Sequence, residues 1–147
     1  MAFATKDRAL RSPGIQAYLL LRTGFVIAPI LFGADKFFNW MVRWPQYLAP
    51  WVDKIMPGTA QQFMYVVGGV EILAGLIVLL RPKFGSLGVA AWLGAIVVDL
   101  LTYAPPKYYD IALRDFGLFL AALTLNRLAV AYEGMTQIAP ERLRRAA

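Results

Sequence analysis

Four long apolar runs, separated by short segments rich in proline and charge, most constrain how this chain can fold. A helix that crosses the hydrocarbon core of a bilayer needs about 20 predominantly apolar residues, and each run is about that long. Because lipid offers no hydrogen-bond partners to the backbone, such a run folds as a helix. The sequence therefore predicts an all-α fold in which residues 1–147 form a single membrane domain, a four-helix bundle with transmembrane helices at approximately 15–34, 62–80, 84–103 and 111–132.

Composition supports a membrane protein and argues against a nucleic-acid-binding one. Hydrophobic residues make up 59% of the 147 residues, which is too apolar for an ordinary soluble domain of this length. The net charge of +6 would suit nucleic acid in a soluble protein. Here the basic residues lie mainly at the ends of the apolar runs, where they act as topology signals. The expected partner is the lipid bilayer, and no nucleic acid is expected.

The sequence contains no cysteine and no histidine. This excludes thiol–disulfide relays, iron–sulfur clusters and histidine-ligated haem or copper. The carboxylates share no tight metal-binding motif, so we predict no metal site and no covalently bound cofactor. Any redox chemistry must then belong to a bound cofactor or a partner chain, and the chain alone is not expected to be catalytic.

Glu71 is the only charged residue between Phe63 and Leu80, near the middle of the second run. On a helix, Gly68 and Gly75 share its face, so another helix can approach the backbone closely there. A carboxylate at membrane depth costs a few kcal/mol and is expected to be paired, protonated or facing a cavity. Glu71 should therefore point at protein, and it is a candidate functional residue.

Arg22, in the first run, has two interpretations. It lies roughly 10 Å in from the start of the helix, at about 1.5 Å per residue, so its long side chain can extend to the headgroups. Alternatively it pairs with Glu71, which lies roughly 14 Å from the same membrane face because the second helix runs the opposite way. Pairing would offset the cost of burying both charges.

The connection at 36–58 carries aromatic residues at helical spacing and is divided into short pieces by prolines. Because tryptophan is enriched at membrane–water interfaces, Trp40, Trp44 and Trp51 are predicted to be anchors of an interfacial segment. The same segment could instead form the lid of a lipid-facing pocket, and the sequence leaves both interpretations open.

Further ionisable residues lie within or beside the predicted membrane helices. In the third helix a stripe of small residues surrounds a second intramembrane carboxylate, Asp99. Arg114 and Asp115 lie near the start of the fourth helix, and Asp35 lies at the end of the first. These four residues should gather toward one membrane face under the connection, as a structural ion-pair network or as a ligand site. The residues of the stripe besides Asp99 are Gly88, Ala91, Ala95 and Thr102.

The basic residues predict the orientation, because they favour the cytoplasmic side of a membrane. A drawing with four spans places Lys36, Arg43, Lys54 and Lys107 on one side and a larger set on the other. We therefore predict a multi-pass protein of a bacterial or archaeal cytoplasmic (inner) membrane with both termini cytoplasmic. The larger set is Lys6, Arg8, Arg11, Arg81, Lys83, Arg142, Arg144 and Arg145.

Four short motifs occur in an order and spacing that is moderately specific. They are Leu-Leu-Arg ending at Arg22, Gly-Ala-Asp-Lys ending at Lys36, Gly-Val-Glu-Ile-Leu-Ala-Gly around Glu71, and Arg-Asp at 114–115. Together, over about residues 16–130, they resemble the DoxX-like family of small four-helix membrane proteins. The resemblance implies a bundle near quinone-linked redox chemistry, with matching polar positions at Arg22, Asp35, Lys36, Glu71, Arg114 and Asp115.

Two classes of function remain open from the sequence. The first is a small accessory subunit of a larger quinone-linked redox or energy-conversion membrane complex, with other membrane subunits as partners and quinone as the cofactor. The second is a stand-alone membrane protein that binds or carries a small molecule or a proton through an intramembrane site of arginine, glutamate and aspartate. The absence of redox-active side chains favours the first.

Overall fold

The chain folds entirely into helices and short connections over the residues that the structure describes. The structure is a computed structural model that describes residues 12–145, with side chains described for 12–132. No strand occurs between residues 12 and 145. The elements in order are α1 (Pro13–Phe38), a 3-10 helix (Trp44–Tyr47), α2 (Pro50–Ile55), α3 (Ala60–Leu80), α4 (Pro82–Leu101) and α5 (Tyr109–Arg145).

Four helices within this part of the chain are long and apolar enough to cross a membrane. They are α1, α3, α4 and the portion of α5 from Tyr109 to Tyr132. This confirms the predicted all-α class with four candidate membrane spans. The orientation was predicted partly from Lys6, Arg8 and Arg11, which lie outside the described residues, and from three arginines near the C-terminus whose side chains also lie outside them.

α1 is longer than the predicted 15–34 at both ends. Pro13 occupies the first turn, where its missing N–H is not needed, and the helix ends where Asn39 adopts a left-handed conformation with φ of 53°. Asparagine tolerates that conformation better than most residues because its short side chain bonds locally. As a result, Lys36 lies inside α1 and not in the predicted 36–58 connection.

The four spans pack unequally around the bundle. α1 packs along α3, and α4 packs along α5, while α3 and α4 share a smaller contact and α1 and α5 the smallest of the four neighbouring pairs. Near the α3–α4 turn, side chains from all four helices form one apolar core of Phe25, Val78, Val89, Ala90, Ala122 and Leu125. We call this end of the bundle the turn end.

Glycines set the close approach of α1 and α3. A Cβ atom added to Gly33 would lie 2.6 Å from the carbonyl oxygen of Gly68, and one added to Gly75 would lie 2.9 Å from that of Val26. Since the obstructing atoms are backbone, neither could move aside cheaply. The prediction that Gly68 and Gly75 face a neighbouring helix is therefore confirmed, and the neighbour is α1.

The small residues of α4 that pack are not those of the predicted stripe. Gly88 has open space where its Cβ would be, and Ala91 and Ala95 are exposed. Gly85 instead lies directly against the backbone of Val78 in α3. The tight α3–α4 turn brings the start of α4 against the end of α3, and that constraint outweighs the sequence pattern of the stripe.

The connection between α1 and α3 folds over the other end of the bundle, which we call the aromatic end. Leu48 is buried with Met64 and Val67 of α3. Tyr47 packs edge-to-face on Tyr108, with ring centroids 4.9 Å apart. The connection is thus docked onto the helices, and its position at a membrane surface stays a prediction.

Candidate functional site

A buried ion pair joins α1 to α3 close to the aromatic end. The Nζ atom of Lys36 lies 2.6 Å from Oε2 of Glu71, and the two side chains are only 4% and 10% exposed. Of the states expected for Glu71, the structure shows pairing with a cation. A carboxylate at membrane depth that is hydrogen-bonded to a cation costs far less free energy than an isolated one.

The predicted partner of Glu71 was wrong. Arg22 donates from Nη2 to the carbonyl oxygen of Leu79, at 2.6 Å, in the last turn of α3. Helical side chains point back toward the N-terminus of their helix, so Lys36 reaches toward the bundle centre while Arg22 reaches toward the turn end. There it satisfies one of the carbonyls that a helix C-terminus leaves without an intrahelical partner.

Two tryptophans flank the ion pair. The ring of Trp44 covers Lys36, with Nζ 3.6 Å from the ring centroid. Trp92 of α4 donates from Nε1 to Oε1 of Glu71, at 3.4 Å. Both carboxylate oxygens of Glu71 therefore have partners, one from each neighbouring helix.

Sequence reasoning did not find Trp92. A signal was present, because Trp92 precedes Asp99 by seven residues and so shares its helix face, and indole N–H groups seek partners when buried.

Asp35 holds the start of the connection in place. Its carboxylate accepts the backbone N–H groups of Trp40 and Met41, at 3.0 and 3.1 Å, and the indole Nε1–H of Trp44, at 2.7 Å. Two adjacent residues of α1 therefore contact Trp44 in different ways. Asp35 accepts a hydrogen bond from the N–H edge of the indole, and Lys36 lies against the face of the ring.

Asp99 anchors the short helix α2. Its Oδ1 accepts the N–H of Ala49, the residue before α2, at 3.0 Å. Beside it, Trp51 donates from Nε1 to Oγ1 of Thr102, at 2.9 Å. Of the three predicted anchors, Trp40 is 82% exposed, Trp51 is half-exposed, and Trp44 is turned inward.

Arg114 and Asp115 pair with each other on α5. Nε of Arg114 lies 3.0 Å from Oδ1 of Asp115, with the arginine side chain 66% exposed and the aspartate buried. Asp115 also interacts electrostatically with Lys36. Asp35, Asp99, Arg114 and Asp115 were predicted to form one cluster. In the structure Asp35 binds the start of the connection, Asp99 binds Ala49, and Arg114 and Asp115 bind each other.

A large cavity lies between the four spans, and most of the predicted site residues line it. Its volume is about 1260 Å³. Trp44 and Trp92 line it beside the ion pair, and the half-exposed Trp51 also lines it. Arg22, Asp35 and Trp40 are not among its lining residues. The predicted polar residues that do line it are Lys36, Glu71, Asp99, Arg114 and Asp115.

The cavity has one polar region and otherwise apolar walls. Phe25, Pro29, Phe32, Leu93 and Leu118 are among the wall residues. Lys36 is bonded to Glu71 and Arg114 to Asp115, so these four charges are balanced. Asp99 also lines the cavity, and its carboxylate accepts the N–H of Ala49 instead of bonding to a cation. An ammonium carries three donors and a guanidinium five, so both cations keep donors beyond those pairs. The arrangement suits an uncharged, hydrogen-bond-accepting group attached to an apolar body.

Two further observations limit the chemistry of this part of the chain. Among the described residues, no group of three or more carboxylates, histidines or cysteines could hold a metal ion. Over the same residues, no buried side-chain nitrogen or oxygen lacks a hydrogen-bond partner. Each of these buried atoms has at least one partner already, so a ligand would bind through the remaining donors of the two cations or by sharing these hydrogen bonds.

The chain was compared with models of protein families, with curated proteins and with solved structures, and none of them matches it. The resemblance to the DoxX-like family therefore stays a prediction that rests on the short motifs, and the site is interpreted from its own geometry.

Proposed function

We propose that this protein binds a lipid-soluble small molecule with an uncharged polar head, of the quinone class, in the cavity between its four spans. The observation that carries the proposal is the cavity itself, in which largely apolar walls surround the buried ion pair of Lys36 and Glu71. Such a combination of apolar lining and a few convergent polar groups is typical of small-molecule sites.

The residues present fit a quinone head. Lys36 and Arg114 offer hydrogen-bond donors to its carbonyl oxygens, and Trp44 and Trp92 add aromatic surface to the lining beside the ion pair. A quinone would supply two-electron, two-proton redox chemistry when bound. Glu71 and Asp115, which lie at the same polar region, are groups that can hold or release a proton there.

A second candidate function is that of an accessory subunit of a larger quinone-linked redox or energy-conversion complex. The absence of cysteine and histidine favours it, because the chain then needs a partner to carry electrons to or from a bound quinone. The DoxX-like resemblance points the same way. Purification in mild detergent separates the two candidates, since a stoichiometric partner carrying haem, flavin or iron–sulfur would support the subunit and a lone homogeneous protein the stand-alone binder.

The proposal also includes a location. The protein would span a bacterial or archaeal cytoplasmic membrane with both termini cytoplasmic, and the aromatic connection would lie at the opposite membrane surface. The unequal distribution of basic residues supports the orientation. The high exposure of Trp40 supports an interfacial position for the connection. Reporter fusions at Ala49 and at the C-terminus should report opposite sides, and the same side for both would contradict the orientation.

Binding of a simple benzoquinone without a side chain tests the proposed function. The protein in detergent micelles is titrated with the quinone, and tryptophan fluorescence is followed because Trp44 and Trp92 line the cavity. Arg114→Gln removes a charged donor from the polar region and should weaken binding roughly tenfold, since hydrogen bonds to charged groups contribute about 1.5–3 kcal/mol.

Arg127→Gln is the matched control. Arg127 lies on the same helix and is exposed, but it is not among the lining residues of the cavity. Its substitution should leave binding unchanged. Equal weakening by the two variants, or saturable binding by neither the wild type nor the control, would contradict a quinone site in this cavity.

A further inference from the structure

The cavity is longer than a ligand head group requires. Along α1 its lining runs from Leu20 to Lys36, which at about 1.5 Å per residue is about 24 Å. Its volume of about 1260 Å³ also exceeds the roughly 300–1000 Å³ usual for small-molecule pockets. Along α3 the lining extends only from Phe63 to Ala74. The extra length therefore belongs to the α1 side of the cavity.

This extra length is open at the surface of the bundle, along the line where α1 meets α5. On α1 the lining residues at the mouth include Leu20, which is 74% exposed, and Gly24, which is also exposed. On α5, Leu118 lines the cavity and is 40% exposed. We call this mouth the α1–α5 seam and define it by Leu20, Gly24, Ala28, Arg114, Leu118 and Ala121.

The seam is open because α1 and α5 pack least closely of the neighbouring spans. Gly24 shows this directly, since a Cβ atom added there would meet no atom within 4 Å. In a membrane such a mouth faces lipid tails, so a molecule dissolved in the bilayer reaches it without crossing water.

Polarity changes along the length of the cavity in one direction. The region near Lys36 holds two ion pairs and two tryptophan N–H groups, one of which bonds to Glu71. Between Leu20 and Ala28, every residue of α1 that lines the cavity is apolar. An amphipathic molecule would therefore lie with its head near Lys36 and its apolar part toward Leu20.

We infer that the ligand carries an apolar tail, which lies in the α1–α5 seam against Gly24 and enters the cavity sideways from the bilayer. The inference rests on the proposed function and specifies the class of ligand, a tailed lipophile and not a compact quinone. The head is held at the polar region, and the tail occupies the groove that the missing side chain of Gly24 leaves open.

Gly24→Leu tests the tail because it fills the groove without touching the polar region. The probes are a benzoquinone without a side chain and the same benzoquinone with a decyl chain, each titrated into the protein in lipid nanodiscs and expressed as concentration in the lipid phase. A leucine at this position occupies the space that the tail would fill, so binding of the decyl compound should weaken roughly tenfold, which is about 1.4 kcal/mol. Binding of the tailless compound should not change.

Gly69→Leu is the matched control, because Gly69 is also an exposed helical glycine with open space at its Cβ but does not line the cavity. It should leave the binding of both probes unchanged. If Gly24→Leu leaves decyl binding unchanged, or weakens both probes equally, the tail does not lie in the seam and the inference is wrong while head binding stands. If neither probe binds the wild type, the proposed function is wrong and the inference is overturned with it.

Discussion

The two sides of α1 show opposite uses of glycine. Toward α3, Gly33 and its neighbours bring the two backbones into contact, and a buried ion pair lies beside them. Toward α5, Gly24 faces open space at the mouth of a cavity. A small residue in a membrane helix can thus close an interface or leave a gap, and only the neighbouring helix decides which. The following predictions test whether the side of α1 toward α3 determines stability and the side toward α5 determines ligand binding.

The largest expected effect is on the ion pair. Lys36→Met or Glu71→Leu leaves the other charge buried without a partner, so each should lower the free energy of unfolding by about 3–5 kcal/mol. The double variant should lose less than the sum of the two. The measurement is an unfolding titration of folded protein in mixed micelles.

The control for that cycle is Arg22. Because Arg22 bonds to Leu79 and not to Glu71, Arg22→Leu combined with Glu71→Leu should be additive within about 0.5 kcal/mol. Coupling between Arg22 and Glu71 together with additivity between Lys36 and Glu71 would mean that the pairing in the structure is wrong.

A smaller effect is expected from adding one methyl group to each side of α1. Gly33→Ala forces a Cβ against the Gly68 carbonyl and should cost about 1–3 kcal/mol of stability. Gly24→Ala meets no atom and should be neutral or stabilising by up to about 1 kcal/mol, because alanine favours the helix. Thermal unfolding of the two variants gives the comparison, and equal destabilisation would show that α5 closes on α1.

The smallest expected effect is at the seam itself. Arg114→Gln removes a cation whose side chain is 66% exposed, and the new amide keeps a hydrogen-bond donor for the buried Asp115, so the loss of stability should stay below about 1 kcal/mol. The same unfolding titration should therefore show little change although quinone binding weakens. A loss comparable with that of Lys36→Met would mean that Arg114 is a structural part of the bundle.

Helix number and the faces of α3 were predictable from the sequence because they depend on local rules. Apolar runs of sufficient length give spans, and Gly68, Glu71 and Gly75 share a face by helical geometry alone. The partner of Glu71 was not predictable from matched depth. Depth gives the positions of Cα atoms, whereas a contact depends on the direction in which each side chain points. The side chain of Lys36 points toward Glu71, and that of Arg22 points away from it toward Leu79.

The roles of Asp99 and Trp44 could not be predicted because they depend on how the connection folds back. Asp99 has its partner in Ala49, and Trp44 meets Asp35 and Lys36 only after the chain reverses at the end of α1. The sequence showed that these residues lie near one end of the bundle. It did not show which of them face the cavity, because several helices build the lining together.

The docking of α2 has a consequence for the order of assembly during synthesis. The hydrogen-bond partners of Ala49 and Trp51 are Asp99 and Thr102, about fifty residues later in the chain. Since a chain is made from its N-terminus, α1 and α3 can associate through Gly33 and Lys36, and Val52 of α2 can pack on α3, before α4 is made. The hydrogen bonds that fix α2 at Ala49 and Trp51 form only after α4 has been inserted. The part of the cavity lining that the connection supplies is therefore fixed later than the part between α1 and α3.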